Sequence, residues 1–415
     1  MSVLSRLSRK KRHPLARALA FVAILCLPCL LGSDLSAAVS PQAIETVDGV
    51  RIVHNPKGGV WGANPKLAIE LVRTIGDVDT DDENLAFDSP VDMAADKAGN
   101  IFILDSGNQR IQVFGPDGKY VRTIGRRGQG PGEFASLNSI AVDRKGNFHV
   151  LDDAQKRIQV FTPQGEVLKT IPVAKFRLDR IRLLGSGTLV TRGYEIFGIQ
   201  GVSKEKAQPK LVKLLGPGLK AIREFGEPFD YGDEMTNRIG NSWYFDVDGE
   251  DHIYLCFVYQ NRVERYSPEG RLLWRADREL NYSTKLIEKG RQEVTANSTR
   301  FFAPKLNRVT DALAADEKGR IWVVTRDRQI RKEEEVTVMV SGSVTGGSTR
   351  KVVGDTDMRT TDMYKLEVFG PDGVLLGAIP VTHFVDGIWI HQDRLFLLDR
   401  DRGVQFYEYR IRESR

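Results

Sequence analysis

Apolar and polar residues alternate with a period of two along most of the chain, in short runs. Glycine, aspartate and asparagine break these runs, as in "DKAGN" (96–100), "DSGNQ" (105–109) and "GPDGK" (115–119). Such runs bounded by turn residues predict strands joined by tight turns rather than helices. The pattern also repeats. "FDSPVDMAADKAGNIFILDSGNQRIQVFGPDGKYVRTIG" (87–125) aligns without a gap on "FASLNSIAVDRKGNFHVLDDAQKRIQVFTPQGEVLKTIP" (134–172), every position displaced by 47 residues. Each unit holds four alternating runs, which predicts one four-stranded propeller blade.

Weaker copies follow at 176–226, 241–276, 309–381 and 384–411. The last holds only three strands. The missing fourth is expected at the other end of the chain, because "VRTIG" (72–76) is identical to "VRTIG" (121–125), the outer strand of the first unit. The expectation is an all-β, six-bladed β-propeller over 68–411, closed by the N-terminal strand 68–76. An extension (39–67) precedes it and a short tail (412–415) follows.

"GNIFILDSGNQRIQVF" (99–114), together with "GQGPGEF" (128–134), resembles the NHL repeat, strongly in two units and recognisably in four. "NPKGGVWG" (55–62) resembles the lead-in of secreted bacterial six-bladed propellers of that type. This resemblance implies a six-bladed propeller and no single function. Similar propellers include metal-dependent lactonases, strictosidine-synthase-like enzymes and the lyase acting on peptidyl-hydroxyglycine. The lyase type needs histidines on the second-to-third turn, where this chain has Gln109, Lys156, Asn261 and Arg402. Its His54, His149, His252, His383 and His391 fall elsewhere, so a zinc site of that kind is not expected.

The glycine-rich "GRRGQGPGEF" (125–134) superficially suggests a phosphate cradle. A nucleotide loop, however, needs Gly-Lys-Ser/Thr or a strand–helix setting, and neither is present. The expected role is a crossing between blades, with Phe134 plugging the inter-blade core.

Composition changes the picture through the N-terminus. A basic segment (6–17), an apolar run of 15 residues (18–32) and "SDLSAA" form a secretory signal with cleavage expected after Ala38. The apolar run is short for a bilayer span and contains Pro28. Removing the signal takes the 60 basic and 55 acidic residues to 54 each, which excludes the basic footprint of a nucleic-acid binder. Cys26 and Cys29 leave with it, so Cys256 remains alone and disulfides contribute nothing. The mature chain is expected to be periplasmic or extracellular, without a membrane span, and monomeric.

Candidate chemistry gathers on one face. Insertions at 195–208, 226–240, 277–308 and 328–362 all occupy inter-blade or second-to-third loops, which share a face when strands alternate in direction. The opposite turns stay minimal. Insertions confined to one face of a repeat protein mark its binding face. "STKLIEKGRQEVTA" (283–296) is long enough for a helix, and "SGSVTGGST" (341–349) reads as a hairpin extension.

Around the channel mouth, equivalent inner-strand positions carry Asp92, Ser139, Arg180, Tyr244, Ala312 and Asp386. One position earlier stand Val91, Asn138, Asp179, Trp243, Asp311 and Val385. Asp92, Asp179, Asp311 and Asp386 converging on the axis would suit a hard cation such as Ca²⁺. Asn138, Arg180, Phe229, Tyr231, Trp243 and Tyr244 are the expected ligand-binding residues. "DVDTDDEN" (77–84) begins like a calcium loop, but Asp82 stands where the turn needs glycine, which leaves a solvated acidic loop. The expected function is a non-enzymatic module that binds a protein, peptide or glycan. The alternative is a Ca²⁺-dependent hydrolase, lactonase or lyase at the channel mouth.

Overall fold

A computed structural model describes residues 42–62, 64–173, 178–192, 209–294, 299–342 and 348–414. Residues 1–38, expected as a secretory signal, and the insertion expected at 195–208 lie outside the described residues. Six antiparallel sheets form the blades of a propeller. Blade one runs Pro90–Ala95, Ile101–Asp105, Arg110–Phe114 and Tyr120–Ile124, from the axis outward. The inner strands of blades two to six are Leu137–Val142, Ile181–Leu183, Trp243–Val247, Thr310–Ala315 and Gly387–His391.

The repeated residues do the same work in the blades that carry them. Asp96, Asp143, Asp248 and Asp316 each accept backbone N–H bonds at 2.9–3.0 Å from residues two and four positions on. That caps the turn between the first and second strands. Arg110 donates to the carbonyls of Glu83 and Ala86, and Arg157 to those of Gly130 and Glu133. Both arginines thereby clamp the crossing that enters their own blade.

The core lies between blades rather than within them. Six buried apolar clusters form among the described residues, one at each blade junction. Between blades one and two, for example, Phe102, Leu104 and Val113 pack against Phe134, Phe148 and Phe161. A propeller blade offers two apolar faces, so each must be covered by its neighbours, and the ring has to close. Leu67–Ile75 closes it by pairing antiparallel with Gln405–Glu413, from Leu67 opposite Glu413 to Ile75 opposite Phe406.

The rest of the extension is also built into the ring. Ala43–Val47 and Val50–Asn55 form a hairpin whose second strand runs parallel to Leu272–Arg278, making blade four six-stranded. The Asn55 side chain donates to Asp277 O (2.9 Å) and accepts from Leu375 N (2.7 Å), stapling blade four to blade five. Val60 and Trp61 then donate their N–H groups to Leu375 O and Leu376 O.

Residues 283–294 are not helical, and 295–296 lie outside the described residues. Arg291–Val294 pairs with Thr299–Phe302 as a hairpin. Gly290 interrupts any helical stripe, and its N–H is taken by Thr236 Oγ1 at 3.0 Å. The α-helix among the described residues is instead Glu234–Gly240, in the 226–240 insertion, N-capped by Asp233 accepting from Thr236 N at 2.8 Å. Thr337–Gly342 and Ser348–Val353 form the hairpin in the fourth insertion.

Two truncations of the mature chain separate these roles. Removing residues 39–76 takes away the closing strand and is expected to abolish the single cooperative melt by circular dichroism. Removing only 39–47 deletes a strand whose residues are all exposed, and should lower the melting temperature by no more than about 3 °C. Equal melts for the two would refute the closure.

Candidate functional site at the channel mouth

The crossing 125–134 is filled by the protein itself. Gly125 has a φ of 78°, and a Cβ there would come within 2.2 Å of the Phe134 ring, so the close approach requires glycine. The backbone N–H groups of Gln129 and Gly130 point at an anion, and that anion is the Glu133 carboxylate, at 3.0 and 2.9 Å. Phe134 is fully buried. The loop is structural.

The axis carries a charged hub to which every blade contributes. Asp92 of blade one accepts from Ser139 Oγ (2.6 Å) and Ile140 N (3.1 Å) of blade two, and from Trp389 Nε1 (2.9 Å) of blade six. Arg182 of blade three donates to Asp92 Oδ2 at 3.2 Å and to Asp246 Oδ1 of blade four at 2.9 Å. Asp246 in turn accepts from Ala315 N of blade five at 3.1 Å. Burial would push the Asp92 carboxyl up, but the charges of Arg182 and Arg180 and the bonds it accepts hold it at about 2. Burial would likewise lower the Arg182 guanidinium pKa, and Asp92 and Asp246 raise it instead. Arg182, Asp246 and Trp389 also line a cavity of about 200 Å³ with Met93, Ile140 and His391.

Above the hub, the ends of the inner and second strands crowd arginines into the mouth. Arg192 donates to Asp179 Oδ2 (2.9 Å) and Trp243 O (2.6 Å). Arg308 and Arg326 grip Asp311, at 2.5 and 2.6 Å. Asp311 is buried, which would raise its carboxyl, yet those two guanidinium groups bring it below its usual range. Asp386 accepts from Arg400 N at 2.8 Å. Burial lifts its carboxyl to about 6, against the pull of the Arg400 charge. The Tyr244 phenol is raised by burial and lies within electrostatic reach of Arg308, Asp311, Arg192 and Arg400.

The four aspartates expected to ring the axis do not act together. They come from two strand positions. Asp92 and Asp386 share one register, whereas Asp179 and Asp311 stand one residue earlier. Register shifts at Pro90/Asp92, Leu137/Ser139 and Thr310/Ala312 turn that earlier position aside in blades one, two and five. Asp92, Asp179 and Asp311 are each engaged by an arginine. Among the described residues no group of three or more His, Cys, Asp or Glu side chains could hold a metal ion.

Trp243, expected at the binding surface, is fully buried in the cluster between blades three and four. Alternation explains it: Trp243 and Phe245 face that core, which leaves Tyr244 and Asp246 toward the axis. Asn138 is half-buried in its bulge and accepts from Ser136 Oγ at 3.4 Å. Phe229 is 55% exposed and meets the half-buried Tyr231 edge-on, with ring centroids 4.8 Å apart. Asn241 pins the Phe229 backbone on both sides (2.7 and 2.8 Å).

The insertions are stitched to one another. Beyond the Gly290–Thr236 bond, Tyr282 donates to Arg326 O at 2.8 Å, and Gln329 exchanges bonds with the Arg308 backbone at 3.0 and 2.8 Å. A groove of about 740 Å³ lies at the base of the 328–362 insertion, lined in part by Glu334, Asp362, Lys365 and Pro380. Several of the charges around it are paired: Arg328 bridges Glu334 and Asp362, and Lys365 meets Asp327 at 3.1 Å.

Arg182 and Asp246 escaped sequence reading, although a signal existed. They stand two residues after Arg180 and Tyr244, where the other blades carry Ala94, Ala141, Ala314 and Ile388. Two opposite charges in otherwise small or apolar inner-strand positions point to a pair across the axis.

Fold and axis together define a six-bladed β-propeller. The profile of the DUF5128 family, described as a 6-bladed beta-propeller, matches residues 77–272. That match supports the propeller rather than NHL repeats in particular. No curated protein sequence gives a match. Similar solved structures include a member of the DUF4221 family from Bacteroides vulgatus (9% identity, TM-score 0.51, covering 84% of this chain and 99% of that one). Another is a "Putative exported protein" from Bacteroides fragilis (12% identity, TM-score 0.50, covering 88% and 100%). Virginiamycin B lyase from Staphylococcus aureus is more distant (10% identity, TM-score 0.42, covering 83% and 99%). At these identities the likeness is one of fold alone.

Two measurements test the hub and the mouth. Arg182→Met leaves two carboxylates without their counter-charge and is expected to cost about 3–5 kcal/mol in urea unfolding, where a cost under about 1 kcal/mol would deny the hub its role. Asp386 has a raised folded-state pKa, so its stability contribution is complete below about pH 4 and lost as pH rises through about 6. The melting temperature of Asp386→Asn should therefore gain on that of the parent between pH 4 and pH 7. A constant gap would show that Asp386 titrates normally.

Proposed function

We propose that this protein is an exported β-propeller, similar to NHL-repeat propellers, that works as a binding module without catalysis of its own. It holds a protein, peptide or glycan against the loop-bearing face. The observation that carries this reading is the shared placement of the described insertions and the arginine-rich mouth on one face, joined by hydrogen bonds into a platform. The opposite face presents short, aspartate-capped turns. The leader's basic and apolar segments support export. No helix among the described residues is long and apolar enough to cross a membrane.

Phe229 and Tyr231 are the aromatic contacts on offer. Aromatic side chains bring large contact area at low entropic cost and often anchor interfaces. The metal-dependent hydrolase, lactonase or lyase alternative would draw on Asp92 and Asp311, whose oxygens are already engaged by arginines.

Capture from the native envelope fraction on the immobilised mature chain, followed by titration calorimetry with the partner obtained, tests this reading. Phe229→Ala is expected to weaken binding by about 2 kcal/mol, roughly thirtyfold. Deleting the 337–353 hairpin, whose ends Thr337 and Val353 are paired neighbours, should also weaken binding without loss of the fold. Asp117→Ala with Lys119→Ala on the opposite face should change little. The reverse pattern would move the binding face.

A further inference from the structure

The mouth carries two guanidinium groups that, among the described residues, have no carboxylate at salt-bridge distance, although Asp92 and Asp246 lie within electrostatic reach of Arg180 and Asp386 within that of Arg400. Three of its arginines have carboxylate partners: Arg192 with Asp179, and Arg308 and Arg326 with Asp311. Arg180 and Arg400 differ. Among the described residues neither guanidinium meets a carboxylate within salt-bridge distance; the Nε of each, like that of Arg192 and Arg308, is buried without a hydrogen-bond partner. Arg180 stands two residues before Arg182 and within its electrostatic reach, and the donors of Arg182 are committed to Asp92, Asp246 and backbone carbonyls. Keeping a half-buried guanidinium beside a like charge and short of partners is costly, and folding alone does not require it.

We propose that the channel mouth is a site for an oxyanion, a carboxylate or phosphate group carried by the ligand, with Arg180 and Arg400 as its donors. The guanidinium fork matches the paired oxygens of either group. Blades three and six face each other across a six-fold ring, so these two side chains approach the axis from opposite sides. Tyr244, between them in sequence order and within electrostatic reach of Arg400, adds a hydroxyl to the same opening. The buried apolar clusters between the blades surround this opening with low-dielectric material, which focuses the field of the arginines and draws anions toward the axis. Burial and the neighbouring Arg182 charge lower the proton affinity of Arg180, and a bound oxyanion would reverse that. The inference rests on the binding face proposed above and specifies the chemistry recognised at its centre.

The test uses the mature chain with inorganic phosphate and glutarate as probes, in calorimetry at low ionic strength. Saturable binding of at least one probe is expected. Arg180→Gln combined with Arg400→Gln should weaken it at least tenfold, whereas Lys145→Gln on the opposite face should leave it unchanged. Binding of phosphate alone would assign a phosphate-bearing ligand, and binding of glutarate alone a carboxylate-bearing one. Melting of the double variant without probe checks its fold, and is expected at or above that of the parent because like charges have been removed. Arg180→Lys gives a second reading: it keeps the charge but loses the fork, and should bind more weakly than the parent.

No saturable binding of either probe, or equal binding by the double variant, would overturn the inference. If the captured partner still loses affinity with Phe229→Ala, the binding face stands and only the anion site falls. If the probes bind as expected while Phe229→Ala and the hairpin deletion leave the partner unaffected, the face assignment falls instead.

Discussion

The Asp92–Arg182 pair on the propeller axis is the contact around which the six blades are arranged. Every blade supplies a group to it or to Asp246, its continuation: side chains from blades one to four and six, and the Ala315 N–H from blade five. A ring of sheets packed through apolar faces can slide at little cost, because apolar contact is not directional. A buried charge that accepts bonds from three other blades fixes how far each one stands from the axis. Closure by Leu67–Ile75 holds the circumference, and the hub holds the centre. Buried pairs of this kind add little net stability over an apolar core, and their value lies in the geometry they impose.

That geometry determines what the mouth can do. Asp92 is fully occupied below, so it is not on offer to a cation, and Asp311 is held between Arg308 and Arg326. Among the described residues, the guanidinium groups at the opening without a salt-bridge partner are those of Arg180 and Arg400. Residues 39–415 carry equal numbers of basic and acidic side chains, so the two unbridged arginines are a matter of placement. The insertions then build a wall around it, with Phe229 exposed on the rim and its backbone pinned by Asn241.

Much of the fold was legible because the signals were local and repeated. The 47-residue displacement between Asp96 and Asp143, and between Arg110 and Arg157, reflects turn caps and clamps that each blade needs for itself. The duplicate "VRTIG" exposed the closing strand because both copies are outer strands packed on the same kind of neighbour. The rim hairpin 43–55 was not legible, since it occurs once and its partner lies more than 200 residues away. Residues 283–296 misled because charged residues of good helix propensity occupy a segment that Gly290 interrupts and a neighbouring strand claims. Trp243 misled for a related reason. A shift of one residue on a strand exchanges channel for core, and the bulges of blades one, two and five blur that register in an alignment. The charged side chains of the hub come from blades one, three and four, and such long-range pairing leaves only the faint mark of a charge where other blades carry alanine or isoleucine.

The axis is internally satisfied, whereas Arg180 and Arg400 in the mouth above it stand without a salt-bridge partner among the described residues. A crystal structure of residues 39–415 grown in selenate tests this directly, because selenium scatters anomalously and marks a tetrahedral oxyanion. The account predicts a selenium peak at the mouth within hydrogen-bond reach of Arg180, with Asp92 still held by Arg182, Ser139 and Trp389. A mouth without that peak, in which Arg180 and Arg400 are both paired with carboxylates of the chain, would contradict it.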